Sequence, residues 1–246
     1  MWKWVIYLIG MGLILPLHVK ADRVSAKVCT PEWEFYTQRD GNGLYHDIWR
    51  RIYTDKDVGL DFTFAVYSRC MLGLSDEENY FDIVPACYVN DAGLKSDSPL
   101  GREVLTIVSH VDQKRWTEKS DFTRKIVTWE RGFMYQQAGL IPDDAIYVPY
   151  SSLERGLKML LAKRVDYLVD YKLAVQENVR LIDKNKQLRV QEDVIVGPHF
   201  YMCFADTDKG RELLRIWNKG FAGLIENGEL DSLYNQYGVL PFYQIP

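Results

Sequence analysis

The residues of this sequence best suited to chemistry are aromatic side chains set among polar ones. Trp33, Phe35 and Tyr36 follow one another in Pro-Glu-Trp-Glu-Phe-Tyr, and Tyr67 and Arg69 stand in Tyr-Ser-Arg. Rings in such company could stack on a flat or cationic group, although any one of them could equally pad a core. A second cluster is Tyr88, Asn90 and Asp91. The third is Trp129-Glu-Arg-Gly-Phe, which reads as the opening of a helix over 132–138. Free backbone N–H groups at such a start favour an anion, and Arg131 could add its guanidinium fork. Asp91, Glu130 and Asp170 are scattered acids that the fold could bring together. No nucleophile elbow, His-Glu metal helix or glycine-rich phosphate loop is present, so the sequence carries no recognisable catalytic motif.

The elements that must position these residues alternate between strands and helices. Arg23 to Thr30, Asp61 to Val66 and Asp82 to Ala86 read as strands. Gly41 to Tyr53 is a loop followed by a helix in which Leu44, Ile48 and Ile52 recur at helical spacing, joined by Tyr45 and Trp49. A short helix covers Arg69 to Leu74. A second unit begins near Ser120, with strands at Lys125–Trp129, Ala145–Val148 and Val165–Val169 and an amphipathic helix at Leu153–Ala162. Val194 to Phe204 leads back to a closing helix capped at Thr207 or Asp208. Its apolar face is Leu213, Trp217, Phe221 and Leu224, and it ends at Gly228 before a last short helix over Glu229 to Tyr237. This alternation predicts an α/β protein with largely parallel sheets flanked by helices. The chain passes to the second unit at about Leu105 and returns at about Gly197, which makes the first lobe discontinuous.

Composition narrows the setting. Residues 1–21 carry an uncharged run of 13 residues, Val5 to Leu17, too short for a membrane span of about 20. With small residues at Val19 and Ala21 it reads as a secretory signal cleaved near Ala21. Removing Lys3 and Lys20 leaves 28 basic against 34 acidic residues, and no basic footprint for nucleic acid is visible. The mature part holds four cysteines, Cys29, Cys70, Cys87 and Cys203, an even number in a compartment that permits disulfides. At least one disulfide is expected, with all three connectivities open. No Cys-x-x-Cys pair occurs and His46, His110 and His199 stand apart, so neither metal nor cofactor is expected.

The closing stretch from Phe204 to Gly238, with Trp-Asn, Ile-Glu-Asn-Gly-Glu-Leu and Tyr-Asn-Gln-Tyr-Gly in order, resembles the closing helices of the family 3 bacterial extracellular solute-binding proteins. Gly43-Leu-Tyr-His-Asp-Ile-Trp is similar to that family's Gly-x-x-x-Asp helix start. Tyr67-Ser-Arg-Cys with Asn79-Tyr-Phe-Asp-Ile-Val-Pro-Ala resembles its Trp-x-Arg and Gly-x-x-Asp motifs, and Ala162-Lys-Arg-Val-Asp-Tyr-Leu-Val-Asp its Gly-Arg-Val-Asp-Ala-Val-Val. The resemblance spans most of the mature chain. It implies an α/β two-lobe, type II periplasmic-binding-protein fold of mixed sheets flanked by helices, with a hinge between the lobes, lobe 1 over 22–104 and 197–246 and lobe 2 over 105–196. It further implies a periplasmic monomer that binds a small amino-acid-like molecule between its lobes and serves an inner-membrane transporter permease or a sensor receptor. A dehydratase-like enzyme on the same fold is the alternative. Binding positions implied are Trp33, Tyr36, Tyr67, Arg69, Tyr88, Asn90, Trp129, Arg131, Asp170 and Tyr171. Two of them depart from the family pattern. Asn90 and its neighbours include no arginine to grip an α-carboxylate, and the position of the ammonium-binding aspartate is Tyr171, with Asp170 one residue earlier. Because a one-residue offset turns a side chain to the other face of a strand, Asp170 reaches a cleft only if its strand ends or bulges there. The ligand is therefore not expected to be a standard α-amino acid held in the family's usual way.

Overall fold

The structure is a computed structural model and describes residues 24–76, 80–239 and 241. The expected signal segment lies outside the described residues, among which no helix is long and apolar enough to cross a membrane. Among the described residues nine strands form one continuous sheet, and its order explains the architecture. At one end β2 (Gly59–Phe64), β1 (Ser25–Thr30) and β3 (Ile83–Tyr88) run parallel; at the other β7 (Ile146–Tyr147), β6 (Ile126–Thr128) and β8 (Tyr167–Asp170) do the same. Between them lie β9 (Leu188–Phe204) and β5 (Gly101–His110), antiparallel to each other and to their outer neighbours. The two-residue β4 (Leu94–Lys95) also pairs with β9. The long β5–β9 ribbon thus joins two parallel three-stranded units.

That ribbon is irregular where the units meet. Its register runs from Gly101 opposite Phe200 to His110 opposite Leu188 and shifts twice, between Arg102 and Val104 and between Leu105 and Ile107. Extra residues on one strand bend and twist a ladder locally, so the shifts place the bend between the lobes.

The apolar pattern of each helix fixes what it covers. In α1 (Leu44–Tyr53) the residues Leu44, Tyr45, Ile48, Trp49 and Ile52 are buried, as the spacing predicts, and His46 and Tyr53 are buried with them. Gly43 precedes it at φ 123°, and a Cβ there would overlap the Tyr36 carbonyl oxygen, so only glycine fits beside the Trp33–Tyr36 loop. In α5 (Asp208–Glu226) the Thr207 hydroxyl accepts from the Gly210 N–H at 3.0 Å and caps the start. Leu213, Trp217, Phe221 and Leu224 are buried, and Gly228, at φ 76°, ends the turn before α6 (Glu229–Gln236). Trp217 stacks on Phe221 at 5.2 Å, and Tyr53 of α1 donates to the Leu213 carbonyl at 3.0 Å. One core draws on residues from Ala26 to Leu100 and from Phe200 to Tyr234, and two further cores on residues from Leu105 to Ile195.

Several elements differ from the sequence reading. The sheet expected to be largely parallel has an antiparallel centre, β9 and β5, because both lobes are joined through that ribbon, and the two-residue β4 adds to it. Residues 132–138 form turns, not a helix. Gly132 sits at φ 103°, and the Trp129 indole N–H donates to the Phe133 carbonyl at 3.0 Å. Packing of buried rings overrides the helical pattern there. Conversely α4 (Lys172–Ile182) arises from a polar segment with only Val175 fully buried, so its periodic signal is faint. Strand β5 was also not anticipated, although its first residues alternate between buried and half-buried.

Both cysteine pairs are bonded. Cys29 of β1 joins Cys70 of α2 (Tyr67–Ser75), and Cys87 of β3 joins Cys203 of β9, with Cα separations of 5.3 and 6.0 Å. The second pair spans a register shift that contains Ala86 at φ 61°. Closing loops of 41 and 116 residues restricts the unfolded chain by roughly 4 and 5 kcal/mol in the loop-entropy account. Alkylation without reductant, followed by mass analysis, is expected to label no cysteine, and reductant is expected to lower the denaturation midpoint markedly. Four labelled thiols in freshly isolated protein would contradict the pairing.

Candidate functional site

Between the two strand units the chain ends of β1, β3, β5, β6 and β8 converge, and their loops enclose two cavities. The front cavity, about 140 Å³, is lined on one side by Trp33, Glu34 and Tyr36 and on the other by Glu130, Tyr150 and Asp170, with Glu32 and Ser152 among its further walls. The back cavity, about 300 Å³, lies against the ribbon at Gly101, Arg102 and Phe200 and the tail at Gly238 and Val239. Trp33, Tyr36, Tyr171 and Leu173 line both and form the partition.

The partition is an aromatic contact between lobes. Trp33 stacks on Phe133 at 5.8 Å with planes 9° apart, Phe133 stacks in turn on Tyr135 at 5.4 Å, and Tyr36 meets Tyr171 at 6.2 Å. Gly132 approaches so closely that an added Cβ would touch the Tyr67 amide and Val66 at 3.6 Å. Offset ring pairs of this kind contribute about 0.5–1.5 kcal/mol each beyond area burial. Trp33 is 9% exposed, and its indole N–H has no hydrogen-bond partner.

Behind the partition lies Glu103, which faces the interior of β5 and is 3% exposed. Its carboxylate accepts from the Tyr88 hydroxyl at 3.0 Å and from the Tyr171 hydroxyl at 3.0 and 3.1 Å. Burial pushes its pKa up to about 7, and the two tyrosine hydrogen bonds offset only part of that. Asp170 accepts from the Tyr150 hydroxyl and from the Tyr171 N–H at 2.6 Å, yet burial still raises it to about 6. Glu130 rises to about 7 through burial first and the nearby Asp170 charge second. Among the described residues no lysine, arginine or histidine lines the front cavity. Glu103, Glu130 and Asp170 thus form a set of desolvated acids walled by rings, with the exposed Glu34 and Glu32 at the rim and Glu32 ion-paired with Arg39 at 2.7 Å.

The sequence-predicted residues divide accordingly. Trp33, Tyr36, Asp170 and Tyr171 line the front cavity, and Tyr88 reaches the same layer through Glu103. Asp170 does so because β8 ends at that residue and Tyr171 caps α4. Tyr67 is buried beside them, its hydroxyl donating to the Ala86 carbonyl and the Asp91 carboxylate, both at 3.2 Å. Trp129 is 1% exposed in the second lobe's interior, stacked on Tyr147 at 3.9 Å, and lines neither cavity. Arg69, Asn90 and Arg131 are exposed and line neither. The expected anion site before Phe133 is absent in form, since no helix begins there and the Arg131 N–H donates to the Tyr150 carbonyl at 3.1 Å. Lys95 is no substitute anchor, because its ammonium is tied to the carbonyls of Asp91, Ala92 and Gly93. Sequence reasoning missed Glu103 and Tyr150. The signal for Glu103 was a lone acid on the inward positions of an otherwise alternating apolar stretch.

Two lobes, a strand ribbon between them and a cavity walled by both define the class: a two-lobe binding-protein fold. No protein-family model and no curated protein matches the sequence. Solved structures do resemble the chain. A histidine kinase sensor domain with similarity to periplasmic binding proteins superposes with TM-score 0.72 at 17% identity, over 89% of this chain and 99% of that one. An amino-acid ABC transporter substrate-binding protein from Streptococcus pneumoniae, bound to L-arginine, gives 0.67 at 16% identity, over 87% and 94%. An ancestral amino-acid-binding protein, a precursor of cyclohexadienyl dehydratase, gives 0.67 at 17% identity, over 87% and 96%. These likenesses establish the two-lobe α/β fold.

The Glu103 carboxyl yields a pH prediction. Its native value near 7 lies above the ordinary 4.5, so its contribution to stability is complete below about pH 4.5 and is lost as pH rises through about 7. The difference amounts to roughly 3 kcal/mol. Glu103→Gln, whose carbonyl can still accept from both tyrosines, is expected to gain stability over the parent chain near pH 8 and little near pH 5, as read by urea denaturation. An equal difference at both pH values would contradict the assignment.

Proposed function

We propose that this protein is an exported solute-binding protein that closes its lobes, 22–104 with 197–246 and 105–196, over a small molecule and presents it to a membrane partner. The observation that carries this reading is the front cavity, whose walls come from two separately packed units joined by one bent ribbon. Ligands held by loops of two hinged lobes are released when the lobes part. The two disulfides accord with an oxidising compartment such as the periplasm. Trp33, Tyr36, Asp170 and Tyr171 would contact the ligand, and Tyr88 would act through Glu103. The partner would be a transporter permease, as for the S. pneumoniae protein, or a signalling receptor, as the likeness to a kinase sensor domain suggests.

A second reading rests on Glu130. A carboxyl raised to about 7 beside Asp170 has the proton affinity of a general acid or base, and a precursor of a dehydratase shares the fold. Recovery of the ligand unchanged after long incubation separates binding from turnover.

Small-angle scattering and thermal denaturation with a metabolite library test the binding reading. At least one compound is expected to reduce the radius of gyration and raise the melting temperature, by an amount equivalent to about 2.7 kcal/mol at a hundredfold excess over Kd. Trp33→Ala is expected to weaken that response. A radius of gyration and melting temperature that no compound moves would count against it.

A further inference from the structure

We infer that the front cavity takes a small organic cation that carries no carboxylate, such as an alkyl amine or a quaternary ammonium; this rests on the solute-binding reading. The inference starts from charge. Glu130 and Asp170 enter the cavity from the second lobe and Glu34 from the first, whereas no basic side chain lines it. Glu130 is half-buried, and among the described residues no ion pair or hydrogen bond engages its carboxylate, the Tyr147 hydroxyl donating to its backbone carbonyl instead. Asp170 is buried and receives only a tyrosine hydroxyl and one backbone N–H. Burying anionic carboxylates without a counter-charge is costly, and a bound cation removes that cost.

The walls make a second, independent argument. Trp33, Tyr36, Tyr150 and Tyr171 surround the same space, and ring faces attract a desolvated ammonium. Trp33 is nine-tenths buried with an indole N–H that lacks an acceptor, which leaves one donor for a hydroxyl or ether oxygen on the ligand. The third argument is what the cavity lacks. A zwitterionic amino acid brings a carboxylate that needs a guanidinium or a set of free N–H groups. Arg69 and Arg131 are exposed and outside the lining, and Lys95 is tied to its own turn. The helix starts that do line the cavity, Leu153 of α3 (Leu153–Leu161) and Leu173 and Ala174 of α4, share it with Glu130 and Asp170, whose charge disfavours a carboxylate there. A carboxylate would instead stand among four acids, Glu32, Glu34, Glu130 and Asp170, of which Glu32 is ion-paired with Arg39 at 2.7 Å. At about 140 Å³ the space is below the range of drug-sized pockets, about 300–1,000 Å³, and fits a compact ligand.

The experiment is calorimetric titration of the full mature chain with matched pairs that differ by a carboxylate: putrescine against ornithine, and choline against glycine betaine. At least one amine is expected to bind, with its carboxylated counterpart at least thirtyfold weaker. Glu130→Gln is expected to weaken the amine by at least tenfold, and Glu34→Gln, at an exposed position, by a smaller factor. Ornithine or betaine binding as tightly as its amine, with lobe closure in scattering, would overturn the cation assignment and leave the solute-binding reading standing. Amine binding unchanged in both variants would overturn it as well. If no compound of either class binds and the metabolite library also moves neither scattering nor melting, both inferences fall.

Discussion

A buried carboxylate with no cation beside it is the constraint around which this molecule is organised. Glu103 lies on the inward side of β5, in the ribbon shared by both lobes, and its acceptors are satisfied by Tyr88 from one lobe and Tyr171 from the other. Neutral hydroxyl donors offset less of the desolvation cost than a guanidinium would, which is why the group sits near neutrality in its proton affinity. The consequence is geometric as much as electrostatic. Holding Tyr171 against Glu103 fixes the ring that partitions the two cavities and brings it to Tyr36 of the first lobe. The bend of the β5–β9 ribbon, the start of α4 and the closure of the lobes all meet at this one residue.

The acids in front of the partition extend the same logic. Asp170 is reachable because β8 stops there, and Glu130 because the chain after β6 turns on Gly132 and does not wind into a helix. A protein that binds amino acids by a guanidinium and a carboxylate divides its charges between the lobes. Here one sign dominates the cavity, and the opposite sign must come from elsewhere. Rings supply the remaining surface, so the cavity discriminates by charge and size more than by directional hydrogen bonds.

Much of the frame was legible in the sequence. The buried faces of α1 and α5, the Thr207 cap and the Gly228 turn followed from helical spacing and end chemistry, because those helices pack one face on a core and leave the other wet. The closing helices carried the resemblance that the fold bears out. The site was less legible. The contact between Glu103 and Tyr171 joins residues 68 apart, and no local pattern encodes such a pairing. Trp129 looked like a cleft residue because an aromatic after a strand carries the same local signal whether it faces a ligand or a core. Arg131 lies outside the cavity lining for a different reason: Gly132 permits a helix start by type, but its positive φ and the packing of the half-buried Phe133 ring on the buried Tyr135 select a turn. Local sequence does not decide the cysteine pairing: β3–β9 sets Cys203 opposite Val84 and Cys87 opposite Tyr201, and the register shift between them leaves Cys87 and Cys203 with Cα atoms 6.0 Å apart.

The central claim is that uncompensated acids in the interlobe cavity await a cation, and proton linkage tests it most directly. Glu130 and Asp170, at about 7 and about 6, are both partly protonated between those values. A cation beside them favours the ionised forms, so binding must expel protons. Calorimetric titration of an amine such as putrescine near pH 6.5, repeated in buffers of different ionisation enthalpy, measures the number released. The account predicts net proton release that disappears when Glu130 and Asp170 are replaced by Gln and Asn; proton uptake, or binding with no proton exchange, would contradict it.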